Sequence, residues 1–203
     1  MRSSETPRGL RIVGGVHRGR RLVAPSGEAV RPTSDRAREA LFNILSHGRF
    51  DAAGLPFADR PVLDAFAGTG ALGLEALSRG ASAAVFIENG REALCALRRN
   101  IAALGEEDRA HIITGDATRS PRAALVCAVA FLDPPYRSGL AAPALSALAS
   151  AGWLAPDAMA IVEIAAREEL PTPVGFTVID DRVYGAARLM FLRYNGATTG
   201  GER

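Results

Sequence analysis

The sequence predicts an α/β fold: a doubly wound, mostly parallel sheet with an antiparallel terminal hairpin, preceded by a small β-hairpin/helix extension. Three observations predict it. Short apolar runs alternate with helical stretches from Pro61 to Ile164, the rhythm of β–α units. The first run passes directly into a tight glycine loop, Gly68-Thr69-Gly70, and then into a helical pattern. Four acids, Asp64, Glu88, Asp116 and Asp133, fall at or near the ends of successive runs, where ligands of such sheets bind.

Taken in order, residues 1–9 are expected to form a disordered leader. Arg11-Ile12-Val13-Gly14-Gly15 and Arg20-Arg21-Leu22-Val23-Ala24-Pro25 predict two short strands joined through Val16-His17-Arg18-Gly19. That hairpin gathers His17, Arg18, Arg20 and Arg21. Pro32 ends the extended chain. Ser34 or Asp35 caps a helix with Ala37, Leu41, Ile44 and Leu45 on one face, and Gly48 closes it. Arg31, Arg36 and Arg38 crowd its start. Cations there oppose the helix dipole, which favours a role in holding an anion. Residues 10–50 thus form a basic extension, and Asp51–Arg60 a linker into the main domain, 51–195.

Within that domain the expected strands are Val62–Phe66, Ala84–Ile87, His111–Thr114, Val126–Leu132 and Met159–Ile164. The expected helices are Ala71–Arg79, Glu92–Leu104 and Gly139–Ala151, with Pro143 in the first turn of the last. Phe176–Asp180 and Arg188–Tyr194 leave little room for a helix between them, so they pair antiparallel. Residues 196–203 are expected to be a disordered tail.

With 203 residues, 48% of them hydrophobic, the chain is long enough for one domain with a real core. No apolar run spans a bilayer, and Met1–Glu5 carries no apolar signal segment. Cys95 and Cys127 are too few and too far apart for a metal site, so no metal is expected. Buried, reduced thiols fit a cytoplasmic protein. Charge is uneven: residues 1–50 hold ten Arg against four acids, and the remainder fourteen Arg against eighteen acids. A basic first quarter on an acidic body points to a polyanion held at one end.

The glycine loop matches G-x-G-x-x-G from Gly68 to Gly73, which alone fits a dinucleotide. Asp64 shifts the balance. A carboxylate inside the strand would repel a pyrophosphate but suits the ammonium and sulfonium of S-adenosylmethionine. Asp64, Ala65, Gly68, Thr69 and Gly70 are the expected loop contacts. Glu88, at the end of the second strand, can accept from both ribose hydroxyls. Asp116 and Ala117 would lie near the adenine, although Asp116 can equally cap a helix. Asp133-Pro134-Pro135-Tyr136 is the most specific stretch. Two prolines stiffen the loop and remove two N–H donors, so it presents the Asp133 carboxylate and the Pro134 carbonyl as acceptors. These suit an exocyclic amino group, whose lone pair is delocalised into its ring until both hydrogens are gripped. Tyr136 offers a face for the base.

Asp133–Tyr136 is similar to the (D/N)PP(Y/F) motif of class I methyltransferases acting on amino nitrogens. From Arg11 to Tyr194 the chain resembles the RsmD family of bacterial 16S rRNA guanine-N2 methyltransferases. The resemblance is carried by Arg11–Gly15, Arg18-Gly19-Arg20, Arg31-Pro32-Thr33, Asp35-Arg36, Arg38-Glu39, Leu41-Phe42-Asn43 and Leu72–Ala81. It implies a Rossmann-like class I methyltransferase fold with S-adenosylmethionine as cofactor. The target it implies is one guanine, position 966 of 16S rRNA, in the small subunit or its assembly intermediate. Asp133, Pro134 and Tyr136 are then the catalytic residues, and His17, Arg18, Arg20, Arg21, Arg31, Arg36 and Arg38 contact RNA. A monomer is the default. Gly90 departs from the family, where an acid often follows two residues after the ribose-binding Glu. The rival readings are a DNA adenine-N6 methyltransferase, which would need a larger recognition insert, and a non-catalytic RNA-binding module. A protein-glutamine methyltransferase and a nicotinamide oxidoreductase fit less well.

Overall fold

The computed structural model describes residues 10–24, 35–46 (backbone only for 35–37) and 55–196. The leader, Arg31 and most of the tail lie outside these segments. The described residues build α1 (Asp35–Ser46), β1 (Val62–Ala65), α2 (Ala71–Ser78), β2 (Ala84–Glu88), α3 (Arg91–Leu104) and β3 (Ala110–Thr114). A short 3-10 turn (Ala117–Arg119) leads on to β4 (Cys127–Leu132), α4 (Ala141–Ser150), β5 (Leu154–Ala165), β6 (Phe176–Tyr184) and β7 (Ala187–Tyr194).

The strands form one seven-stranded sheet in the order β3-β2-β1-β4-β5-β7-β6. β1 to β5 run parallel, and β7 lies antiparallel to both β5 and β6. The order reverses between β1 and β4, so the crevice for a ligand opens above the carboxyl ends of those two strands. Alternate strand residues face opposite layers. Phe86, Val129, Phe131 and Phe191 pack under α1, α2 and α3, whereas Val85, Ala130, Leu132 and Leu192 pack under α4 and Trp153. Phe42 of α1 meets Phe57 edge-on at 5.9 Å and Phe131 at 5.7 Å. Removing that ring would cost about 3–5 kcal/mol and unseat α1.

Several boundaries differ from expectation for physical reasons. Phe66 leaves the strand because its φ is +60°, which turns the chain toward the glycine loop. β5 begins at Leu154, since Cys127 already pairs there before a register shift. β6 runs on to Tyr184 because Gly185 and Ala186 alone make the turn to β7, letting Tyr184 pair with Ala187. The segment at 55–60 is not a loose linker, because Phe57 is wholly buried. Cys127 is buried but Cys95 is exposed on α3, so only one thiol is where the sequence suggested. Burial raises the Cys127 thiol to about 12.

The N-terminal hairpin is reduced to a single antiparallel bridge, Arg11 to Arg21, flanked by Ile12 N–H to Arg20 C=O and Leu22 N–H to Leu10 C=O. Gly15 explains why its strands are so short. Its φ is +74°, and a Cβ there would lie 1.8 Å from the Ser78 carbonyl oxygen. The arm therefore presses its backbone onto the end of α2, where Val16 N–H donates to Ser78 C=O at 2.8 Å.

Candidate active site at the carboxyl edge of the sheet

Asp64 sits inside β1, almost wholly buried, with its Oδ2 accepting the Gly73 N–H at 2.8 Å. The first turn of a helix leaves such donors without intrahelical partners, and Asp64 satisfies one. Burial pushes its carboxyl well above the ordinary range; the Gly73 bond opposes this, and the fields of Asp133 and Glu88 add to it. Glu88 at the end of β2 and Asp133 just past β4 thus lie near enough to Asp64 for their charges to act on it.

Glu88 is held by three backbone donors. Gly68 N–H reaches its Oε2 at 2.7 Å, and Asn89 and Gly90 N–H reach Oε1 at 2.9 and 2.7 Å. The carboxylate thus joins the glycine loop to the start of α3. Gly90, the position that departs from the family pattern, allows this fold-back: a Cβ there would stand 3.1 Å from Oε1. Gly68, at φ +55°, shows the opposite situation. A Cβ there would meet nothing nearer than 4.0 Å, so that side of the loop is open. Thr69 is nearly buried, and the Ala65 carbonyl accepts the Asp133 N–H at 3.4 Å.

Asp116 is exposed and caps the 3-10 turn, its Oδ1 accepting both the N–H and the hydroxyl of Thr118 at 2.8 Å. The Thr118 N–H, before the hydroxyl, holds the Asp116 carboxyl below its usual value. It is kept near Glu88 by the Gly115 N–H, which donates to the Glu88 C=O at 3.0 Å. Ala117 puts its methyl into the core beneath, not into the crevice.

Asp133 is half-buried, Pro134 buried, Pro135 exposed and Tyr136 half-buried. Two acids missed in the sequence hold this loop. Tyr136 Oη donates to Oε1 of the nearly buried Glu163 on β5 at 2.7 Å. Arg137, at φ +59°, donates its N–H to Glu168 Oε2 at 2.8 Å. The signal for Glu163 was an acid within the apolar run Met159–Ile164, the same feature that drew attention to Asp64. Glu168 carried no such signal.

The arm's cations are not brought to this edge as a group. Ser78 ends α2 and Glu106 follows α3, so both mark the opposite, amino-terminal edge of the sheet. His17 docks there, its Nε2 at 2.6 Å from the buried Glu106 and its N–H on Ser78 Oγ. Arg20 donates to the Ala103 carbonyl, while Arg18 and Arg21 are exposed. Arg38 corrects the sequence reading: it is wholly buried, 3.8 Å from the buried Glu75, and donates to the Arg11 carbonyl. Its neighbours on the buried stripe, Leu41, Phe42 and Leu45, carry it inward. Glu75 also accepts from Val13 N–H and Arg79 Nε, both at 2.7 Å. The Arg36 side chain lies outside the described residues.

The family model described as "Conserved hypothetical protein 95" matches residues 10–193. Ribosomal RNA small subunit methyltransferase D of Escherichia coli (strain K12) is 39% identical over 178 residues, 87% of this chain and 85% of that protein. The chain belongs to the RsmD family of methyltransferases. The protein of the same name from Haemophilus influenzae is 35% identical over 193 residues, 91% of this chain and 95% of the other. The solved structure of yhhF from Escherichia coli aligns with a TM-score of 0.78 and 36% identity, over 92% of this chain and 98% of that one. The fold is accordingly the class I, Rossmann-like one, and the cofactor of this methyltransferase is S-adenosylmethionine. The donor set fits that cofactor. A cation would relieve the Asp64 carboxyl, which is raised by burial and by the neighbouring carboxylates, and a Cβ on Gly68 would meet nothing nearer than 4.0 Å. Among the described residues no cluster of His, Cys, Asp and Glu could hold a metal, and no helix is long and apolar enough to cross a membrane.

Proposed function

We propose that this methyltransferase modifies the exocyclic N2 of a guanine in 16S rRNA, the family target at position 966, within the small ribosomal subunit or its assembly intermediate in the cytoplasm. The observation that carries the reading is the Asp133–Tyr136 loop, set beside the acid cluster and braced from β5 by Glu163 and Glu168. The curated relatives' names give ribosomal RNA as their substrate, which supports the polymer class.

Bound S-adenosylmethionine supplies an electrophilic methyl on a cationic sulfur. Asp64, Gly68, Thr69 and Gly70 form the floor for it, Glu88 takes the ribose hydroxyls and Asp116 lies toward the adenine; Ala65 and Ala117 serve through their backbone. The target guanine must be unpaired or flipped, since N2 is engaged in pairing otherwise. Its ring rests on Tyr136, whose hydroxyl is fixed by Glu163. The Asp133 carboxylate and the Pro134 carbonyl accept the two N2 hydrogens, which frees the lone pair to point at the methyl. Asp133 would accept the N2 proton released on methylation of the amine and pass it to water. Alignment of the two reactants supplies much of the acceleration.

Arg18, Arg20 and Arg21 hold phosphates remote from the target base, because their turn lies at the far edge of the sheet; Arg31 and Arg36 are kept as phosphate contacts. Arg38 and His17 dock the arm instead. The protein works as a monomer without metal.

Nucleoside mass spectrometry tests this. The chain is incubated with S-adenosylmethionine and small subunits lacking the modification, with duplex DNA in parallel. N2-methylguanosine in the rRNA, absent with Asp133→Ala, is expected. N6-methyladenine in the DNA would overturn the reading.

A further inference from the structure

Asn100 has no part in the mechanism above, yet it is wholly buried on α3 and bonds to two functional segments. Its Oδ1 accepts the Val23 N–H at 2.7 Å, and its Nδ2 donates to the Val23 carbonyl at 3.0 Å and to the Thr69 carbonyl at 2.9 Å. Val23 belongs to the N-terminal arm and Thr69 to the cofactor loop. A side-chain amide has two donor hydrogens and one acceptor oxygen, and here both ends are engaged by backbone.

We propose that Asn100 is a positioning residue through which the docked arm and the cofactor loop fix one another. The inference rests on the loop holding S-adenosylmethionine and does not depend on the target base. Thr69 lies between Gly68 at φ +55° and Gly70 at φ +78°. Glycines on both sides make rotation of the intervening peptides cheap, so an outside contact must select one arrangement. Glu88 holds the Gly68 N–H, and Asn100 supplies the contact on the Thr69 carbonyl. If Val23 departs, the amide keeps only its bond to Thr69 and is left short of partners in a buried place, where unsatisfied polar groups are costly. The amide then turns to find other partners and the Thr69 carbonyl is released. Coupling of this kind is reciprocal: what secures the arm tightens the cofactor, and the cofactor secures the arm.

The far end of the arm provides the control. Ser78 Oγ donates to the Gly14 carbonyl at 2.6 Å and accepts the His17 N–H at 2.9 Å, without touching Asn100. Titration calorimetry of the full chain with S-adenosylhomocysteine is the first measurement. Asn100→Ala should weaken binding on the order of tenfold. Val23→Pro, which removes the arm's N–H together with the valine side chain and fixes φ there, should weaken it severalfold, and the double variant no more than Asn100→Ala alone. Ser78→Ala, which loosens the arm only at its far end, should weaken it less than Val23→Pro does.

Hydrogen exchange is the second measurement. Saturating S-adenosylhomocysteine should slow exchange of the Ile12 and Leu22 amides in the unmodified chain and not in Asn100→Ala. A merely structural Asn100 would lower the melting temperature of its variant without making arm protection depend on the cofactor. Wild-type affinity in Val23→Pro, or arm exchange indifferent to S-adenosylhomocysteine, would overturn the proposal. Those two results decide the matter even where Asn100→Ala does not fold. A chain that binds no S-adenosylhomocysteine overturns the cofactor reading as well, whereas failure to methylate rRNA leaves this coupling standing.

Discussion

The acids at the carboxyl edge and the arginines of the N-terminal region are treated in opposite ways by the fold. Glu88, Asp116 and Asp133 stay at or just past strand ends beside Asp64 within β1, and Asp64 feels the charge of Asp133 and Glu88. The arginines divide. Arg38 is driven inside onto Glu75, whereas Arg18 and Arg21 remain on the surface. The difference teaches that a charge fixed by the strand–turn rhythm keeps its place, while a charge on a docking segment goes where packing sends it.

The largest effect that tests this contrast is on turnover. Asp133→Ala should lower methyl transfer by roughly 10²–10⁴-fold while S-adenosylhomocysteine binds as before. Loss of cofactor binding in a folded variant would place Asp133 with Asp64 and Glu88 as a cofactor group. Next comes stability. Glu75→Ala strands the buried Arg38 and should cost about 3–5 kcal/mol in urea unfolding, whereas Arg18→Ala should stay within about 0.5 kcal/mol. Equal costs would erase the division between inner and outer arginines.

A third effect concerns RNA alone. Arg18→Ala with Arg21→Ala should reduce the slope of log affinity against log salt by about 0.7 for each phosphate no longer neutralised, at unchanged cofactor affinity. An unchanged slope would remove the arm turn from the RNA footprint. The smallest effect is the pH dependence contributed by Asp64. Its carboxyl titrates near 3.9 when unfolded and well above that when folded. The folded state therefore holds the proton longer, and stability falls as pH rises from about 4 through the raised value. Asp64→Asn keeps an acceptor for Gly73 and should flatten that fall in urea titrations across the range. A slope identical to the unmodified chain's would contradict the burial of this charge.

The sheet was legible in the sequence because its evidence is local. A strand of four to six residues, a glycine and a helix repeat with little ambiguity, and acids at strand ends inherit their positions from that repeat. Asp133–Tyr136 was legible because two prolines constrain their own backbone. The supports were not. Glu163, Glu168 and Asn100 matter through partners 27, 31 and 77 residues away, and no pattern within one segment announces such a bond. Asn100 did carry a faint mark, a polar residue beside the buried stripe Leu97, Ile101 and Leu104. Arg38 was misplaced because its charge suggested the surface, while Glu75, which makes its burial tolerable, lies on another helix.

The position of β7 has a consequence in time. It is the last described strand to be synthesised, yet it is an inner strand, paired on one side with β5 and on the other with β6, with Phe191 wholly buried. Until residues 187–194 have left the exit tunnel, β5 has no second neighbour and the strand bearing Glu163 ends at an open edge.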